Sequence, residues 1–167
     1  MASLARAARA GEADAFRRLY ERYAPMVHAI LITRVDAHEA EDLLQEVFVA
    51  AWRGLVRLER DEHVGAWIAG IARTLALRAR ARSRPRPQPL EVEPVARPAD
   101  PGDGAAILAQ LRALPQAYAE TLAMRLVEGL SGREIAAATG LTEGSVRVNL
   151  SRGMQLLRER LQREGLA

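Results

Sequence analysis

The chain has 167 residues, enough for one domain of ordinary size or two small ones of roughly 60 to 90 residues each. Apolar residues make up 49% and charged residues 27%, a globular composition too hydrophobic for a disordered chain. The absence of cysteine excludes a disulfide framework, a thiolate zinc site and a cysteine nucleophile, and it fits a reducing compartment. The longest apolar stretches, "VHAILI" and "VFVAAW", fall far short of the ~20 residues a membrane span needs. The N-terminus has no signal-peptide core, so a soluble intracellular protein is expected. All 24 basic residues are arginine, which favours bidentate contacts to phosphate or carboxylate.

The periodicity is helical throughout. From Asp14 to Arg34, Phe16, Leu19, Tyr20, Tyr23, Val27, Ile30 and Leu31 recur at helical spacing, and Pro25 is expected to kink or divide the helix. A second helix begins near Asp36, carries Ala40, Leu43, Leu44, Val47, Phe48, Ala51 and Trp52 on one face, and stops at Gly54. A short polar connection, "VRLERDEHVG", leads to a third stripe of Val64, Trp67, Ile68, Ile71, Ala72 and Leu75, running to about Arg82.

Between Ser83 and Asp103 lie six of the eight prolines and almost nothing to bury, which predicts an extended linker. Helical spacing resumes with Ile107, Leu108, Leu111 and Leu114, then with Tyr118, Leu122 and Leu126 up to Gly129. The predicted fold is all-α, with two small helical domains, 1–83 and 104–167, joined by a flexible linker at 84–103.

Charge is distributed unevenly. Residues 36 to 46 carry Asp36, Glu39, Glu41, Asp42 and Glu46 with no arginine, whereas residues 78 to 86 carry Arg78, Arg80, Arg82, Arg84 and Arg86 with no acid. A spacing of two lines side chains along one side of an extended chain, so the arginine run predicts a helix end unwinding along a polyanion.

The most specific local signal is "LSGREIAAATGLTEGSVRVNLSRGMQLLRERL". Ser131 and Glu134 have the spacing of a capping box, Ala136 is small where two helices must cross, and Gly140 supplies the positive φ of a tight turn. Leu141 and Val146 are apolar where the second helix is expected to lean on the first, and Thr142 is its N-cap. This is the pattern of a helix-turn-helix, whose buried stripe is Val146, Leu150, Met154 and Leu157. Ser145, Arg147, Val148, Asn149, Ser151 and Arg152 then fall near its exposed start and outer face. Arginine suits guanine edges or phosphates, asparagine suits adenine, and serine suits phosphate.

"EAEDLLQEVFVAAWRGL", "HVGAWIAGIARTLALRARARSR" and the segment from "LPQAYAETLAMRLVEGL" through the helix-turn-helix together resemble a bacterial sigma factor of the extracytoplasmic-function group in the sigma-70 family. The resemblance covers nearly the whole chain, in domain order as well as motif. It implies a subunit that binds core RNA polymerase, recognises promoter DNA, helps melt the minus-ten region and is controlled by an anti-sigma factor. The matching residues for polymerase docking are Asp42, Gln45, Glu46 and Phe48. For the minus-ten element they fall in the stretch from Arg57 to Gly65, with Arg60 and His63, and along the third helix at Trp67, Arg73, Thr74, Arg78, Arg80 and Arg82. Trp67 also sits on the apolar stripe, where core packing is its other role. For the minus-thirty-five element they are Arg133 and the six residues of the recognition helix. Thr74, Arg78 and Asn149 depart from the residues the family commonly carries at those places.

No phosphate loop, metal-ligand cluster or arranged nucleophile and base stands out, so neither a cofactor, a metal, a small-molecule substrate nor a catalytic residue is expected. The last predicted helix ends the chain, so a separate inhibitor is expected rather than an added domain, holding the cytoplasmic protein at the inner membrane face in some forms of control. The competing readings are a conventional helix-turn-helix regulator and a sigma-like decoy that only titrates a regulatory protein.

Overall fold

A computed structural model describes residues 2–83 and 103–165, and among them the elements are all helical. In chain order they are α1 (Ala2–Arg9), α2 (Ala13–Ile32), α3 (Ala37–Gly54), two short 3-10 turns (Leu55–Arg57 and Asp61–His63) and α4 (Val64–Ser83). After the predicted linker follow α5 (Asp103–Arg112), α6 (Gln116–Leu126), α7 (Gly132–Thr139) and α8 (Glu143–Arg163). Ser83 and Asp103 are thus both helical, and the rest of the predicted linker, with Arg84 and Arg86, lies outside the described residues.

The helix α2 is the axis of the molecule. Met26, Val27, Ala29, Ile30, Leu31 and Ile32 are all buried, so its C-terminal half is surrounded rather than one-sided. It packs against α1, α3 and α4 and also against α6 and α7. Pro25 does not divide it: α2 runs unbroken from Ala13 to Ile32. The carbonyl that Pro25 leaves without a helical partner is that of Glu21, an exposed residue whose carbonyl water can reach.

Caps set the starts of the following helices. Asp36 accepts a hydrogen bond from the Glu39 amide at 2.8 Å and begins α3. The segment from Val56 to Gly65 is more ordered than a polar connection, because it contains most of two 3-10 turns and a buried acid, Asp61. In α4 the buried face is Val64, Ile68, Ala69, Ala72, Ala76 and Ala79, while Trp67, Ile71 and Leu75 are only half-buried. The alanines let α4 lie close to its neighbours.

The two helical parts do not stand apart. Their buried side chains form one continuous core, in which Leu111, Leu122, Met124 and Ile135 join Leu19, Met26, Ile30, Leu31 and Ile68. Each large side chain so buried stabilises by about 1.5 to 3 kcal/mol. Polar clasps at the border add direction as well as energy, a hydrogen bond to a charged group being worth about 1.5 to 3 kcal/mol. Arg112 donates to the carbonyls of Ile32 at 2.7 Å and Val35 at 2.6 Å, satisfying the C-terminal end of α2. Its burial there lowers the guanidinium pKa, with Asp36 opposing the shift. At the same border Gly65 is obligatory, since a Cβ on it would lie 2.2 Å from the carbonyl oxygen of Ala138.

Candidate polymerase and nucleic-acid interfaces

The acidic helix presents a row of open side chains. Asp42, Gln45 and Glu46 are exposed and line a shallow hollow of about 610 Å³ together with Val49, Ala50, Arg53 and Leu75. Phe48, expected beside them, lies elsewhere: it is 4% exposed, tilted against Tyr20 at 4.6 Å and edge-on to Phe16 at 6.4 Å between ring centroids. Its position in the i, i+4 register with Leu44 turns it into the core. Trp52, counted on the apolar face, is 43% exposed and stacks its edge on Phe16 at 4.7 Å.

The connection before α4 folds into a cup. Arg57, Leu58, Glu59, Arg60, His63, Ala66 and Trp67 line a cavity of about 320 Å³, with Arg60 and His63 exposed at its rim. Trp67 is half-buried and lies against Gly54, where a Cβ would meet the indole ring at 3.1 Å, so one side of the ring packs while the rest borders the cup. Along α4, Thr74 returns its hydroxyl to the Gly70 carbonyl at 2.8 Å. Arg73 donates from Nε at 3.2 Å and from Nη2 at 2.8 Å to the carboxylate of Glu120 on α6. Glu120 is only 6% exposed and is also paired with Arg34 at 2.5 Å, so a buried acid joins two arginines across the border.

Arg78, Arg80 and Arg82 are exposed and helical, since α4 continues to Ser83, while Arg84 and Arg86, where the run was expected to leave the helix, lie outside the described residues. Arg78 and Arg82 therefore share one side of the helix and Arg80 turns away from them.

The helix-turn-helix forms as its spacing predicts. Ser131 Oγ accepts from the Glu134 amide at 3.2 Å and Glu134 Oε2 accepts from the Ser131 amide at 2.8 Å, which completes the capping box. These bonds, first the one between the side chains and Ser131, hold the Glu134 pKa below its ordinary value. Gly140 takes φ 78° at the turn, and Thr142 Oγ1 accepts from the Ser145 amide at 3.1 Å to start α8. Leu141 differs from expectation: it is 41% exposed, because the turn carries it outward before the helix begins, whereas Val146 is buried at 1%.

On α8 the outer face carries Ser145, Arg147, Val148, Ser151 and Arg152, all exposed. Val148, 47% exposed, lies near the middle of that face. Asn149 is half-buried, its amide turned to Thr121 Oγ1 at 3.4 Å, because it falls on the inward side between Val146 and Gly153. Arg133 is exposed and faces Glu143 at 3.7 Å. Two features had no local sign in the sequence: α1, whose buried residues are the small Ala5 and Ala8, and the acids Asp61 and Glu120, whose partners come from distant parts of the chain.

A chain whose described elements are all helical, and which caps a helix-turn-helix and leaves arginines open beside it, belongs among DNA-binding transcription proteins. Comparison with known proteins makes the class particular. The family model "Sigma-70 region 2" matches residues 19–86 and "Sigma-70, region 4" matches residues 104–157. The chain is 34% identical to the RNA polymerase sigma factor CarQ of Myxococcus xanthus over 161 residues, covering 92% of each. It is 32% identical to the ECF RNA polymerase sigma factor BldN of Streptomyces coelicolor, covering 94% of this chain and 64% of BldN. A solved structure of CnrH in complex with the cytosolic domain of CnrY superposes with a TM-score of 0.63 at 25% identity, covering 96% of both chains. The chain belongs to the sigma-70 family, in its extracytoplasmic-function group, and is a transcription initiation factor that binds core RNA polymerase and promoter DNA.

Proposed function

We propose a division of labour in which the exposed face of α3 docks core polymerase, the cup at 57–65 with α4 takes the melted minus-ten strand, and α8 reads the minus-thirty-five duplex. In this reading residues 1–83 and 104–167 are the two working domains and 84–103 the tether between them. The observation that carries it is the placement of open charge: Asp42 and Glu46 stand exposed on α3, while α4 carries exposed Arg73, Arg78, Arg80 and Arg82 with no acid and the outer face of α8 carries exposed Arg147 and Arg152. Arg60, Arg78, Arg80 and Arg82 would hold phosphates of the single strand, and His63 and Trp67 offer rings for a splayed base. On α8, Arg147 reads a base edge, Val148 meets a thymine methyl, and Ser145, Ser151, Arg152 and Arg133 hold backbone phosphates. Asn149 serves packing in this arrangement, since its amide is turned to α6.

The protein acts in the cytoplasm, without a cofactor and without catalysing a reaction itself; polymerase does the chemistry. Control by an anti-sigma factor is supported by CnrH having been solved with the cytosolic domain of a second protein. Among the described residues no helix is long and apolar enough to cross a membrane. Titration of core polymerase with labelled protein tests the docking face. Asp42→Ala with Glu46→Ala should weaken binding by at least about tenfold with the fold intact, since both side chains are exposed. Unchanged affinity would remove α3 as the docking surface.

A further inference from the structure

We propose that α1 is a positioning brace for the cup that receives the minus-ten strand, with Arg9 and Asp61 as the residues that set its shape. The inference rests on the assignment of segment 57–65 to that strand.

Arg9 reaches two separate points of the connection. Its Nη1 donates to the Leu58 carbonyl at 2.7 Å, and its Nη2 lies 3.0 Å from Asp61 Oδ1. Arg6 adds Nε to Asp61 Oδ2 at 3.3 Å. Leu58 closes the first 3-10 turn and Asp61 opens the second, so one guanidinium spans the junction between them. Between those two anchors lie Glu59 and Arg60, both exposed and both lining the cup. Their backbone is therefore held from behind while their side chains stay free in front.

The anchoring acid is built into the protein. The Asp61 carboxylate is 9% exposed, and its Oδ1 makes no hydrogen bond of good geometry, being held by the nearby Arg9 charge alone. A buried carboxylate is tolerated only while paired, so the geometry of Asp61 depends on α1 being in place. Arg6 contributes less, because its side chain is 72% exposed and an open ion pair is worth little. The helix itself has a narrow footing: Ala5 and Ala8 are its fully buried residues, and small side chains let its backbone come close to the turns. A cup fixed before the strand arrives loses less conformational freedom on binding and holds its contacts to one geometry, which raises selectivity more than adhesion.

The test is base selection by the full chain in holoenzyme with core polymerase. The probe is a library of promoter fragments, duplex upstream and single-stranded with random sequence across the minus-ten segment, read by sequencing the bound fraction. Wild-type holoenzyme should enrich its preferred base at the best-read position by about tenfold, within the range for one mismatch. Arg9→Ala and Asp61→Asn, which break the clasp from opposite sides, should each bring that enrichment below about threefold while core affinity stays within about twofold of wild type. Wild-type selectivity retained in both variants would overturn the brace. A fall in core affinity in step with selectivity would also overturn it, because α1 would then only support the fold. A flat wild-type profile would reject the assignment of segment 57–65, and the brace with it.

Discussion

Arg147 and Arg152 on α8 stand exposed, whereas Arg73 on α4 gives its guanidinium to Glu120 in the other half of the molecule. The outer face of α8, proposed to read the duplex, is thus open, whereas on α4, proposed to take the minus-ten strand, Arg73 is engaged by the chain itself. The border next to Arg73 is tight as well, with Gly65 at the start of α4 set against the backbone of α7. In the proposed division of labour, one DNA surface is open in the free chain, and the other would be fully available only if the two halves separated. The comparison teaches that arginines with the same sequence signature differ in availability because of where distant acids fall.

The strongest way to break this comparison is to remove the acid. Glu120→Ala leaves Arg34, only 11% exposed, without its carboxylate partner, and should lower stability on the order of 3 kcal/mol in urea denaturation. The same change should free Arg73 and raise the affinity of the isolated protein for single-stranded DNA. A variant with unchanged stability and unchanged strand binding would show that the clasp does not hold the halves together.

On the open surface, Arg147→Ala should cost about 1 to 3 kcal/mol at one base pair and little elsewhere. Arg152→Ala should weaken all duplexes alike and reduce the salt slope by about one phosphate. Binding of duplex variants over a range of salt separates the two, and equal losses on every duplex for Arg147→Ala would make it a backbone contact.

Much of this architecture was legible beforehand, for local reasons. The starts of α3, α7 and α8 follow from Asp36, Ser131 and Thr142 acting on backbone within three residues, and periodicity of large apolar side chains marked α2 to α6. What escaped depends on pairing across the chain. Glu120 meets Arg34 and Arg73, and Asp61 meets Arg6 and Arg9, at separations where no spacing rule applies. A helix of alanine and arginine such as α1 carries no stripe of large residues to read. Leu141 and Asn149 were placed by motif position, and the turn or the rotation of the helix put each side chain on the other side, whereas Phe48 is buried as its apolar-face spacing predicts.

A smaller effect should appear with pH. The His28 pKa is raised in the folded chain, chiefly by its hydrogen bond with Glu128 of the other half, aided by the charges of Glu128 and Glu41 and opposed by partial burial. A raised histidine contributes fully below its unfolded pKa of about 6.5 and loses that contribution as pH rises through the folded value. Docking of the halves should therefore weaken as pH rises above about 6.5, by less than in Glu120→Ala, and His28→Gln should flatten the dependence in urea denaturation. Smaller again, Ser131→Ala should lower stability by about 1 kcal/mol through loss of the cap, as measured by thermal unfolding.

Under the proposed function, the two DNA surfaces work together only when core polymerase holds the halves apart. Any chain of about 20 residues would span roughly 25 Å as a flexible coil and at most about 70 Å fully extended, while promoter elements two helical turns apart lie roughly 70 Å from each other. Simultaneous engagement by the free chain would need both a taut tether and the opening of the Glu120 clasp. Footprinting of a promoter fragment, with the protein alone and with added core polymerase, tests this directly. The account predicts weak protection confined to the minus-thirty-five duplex for the protein alone, and protection of both elements once core polymerase is added. Strong protection of both elements by the protein alone would contradict it.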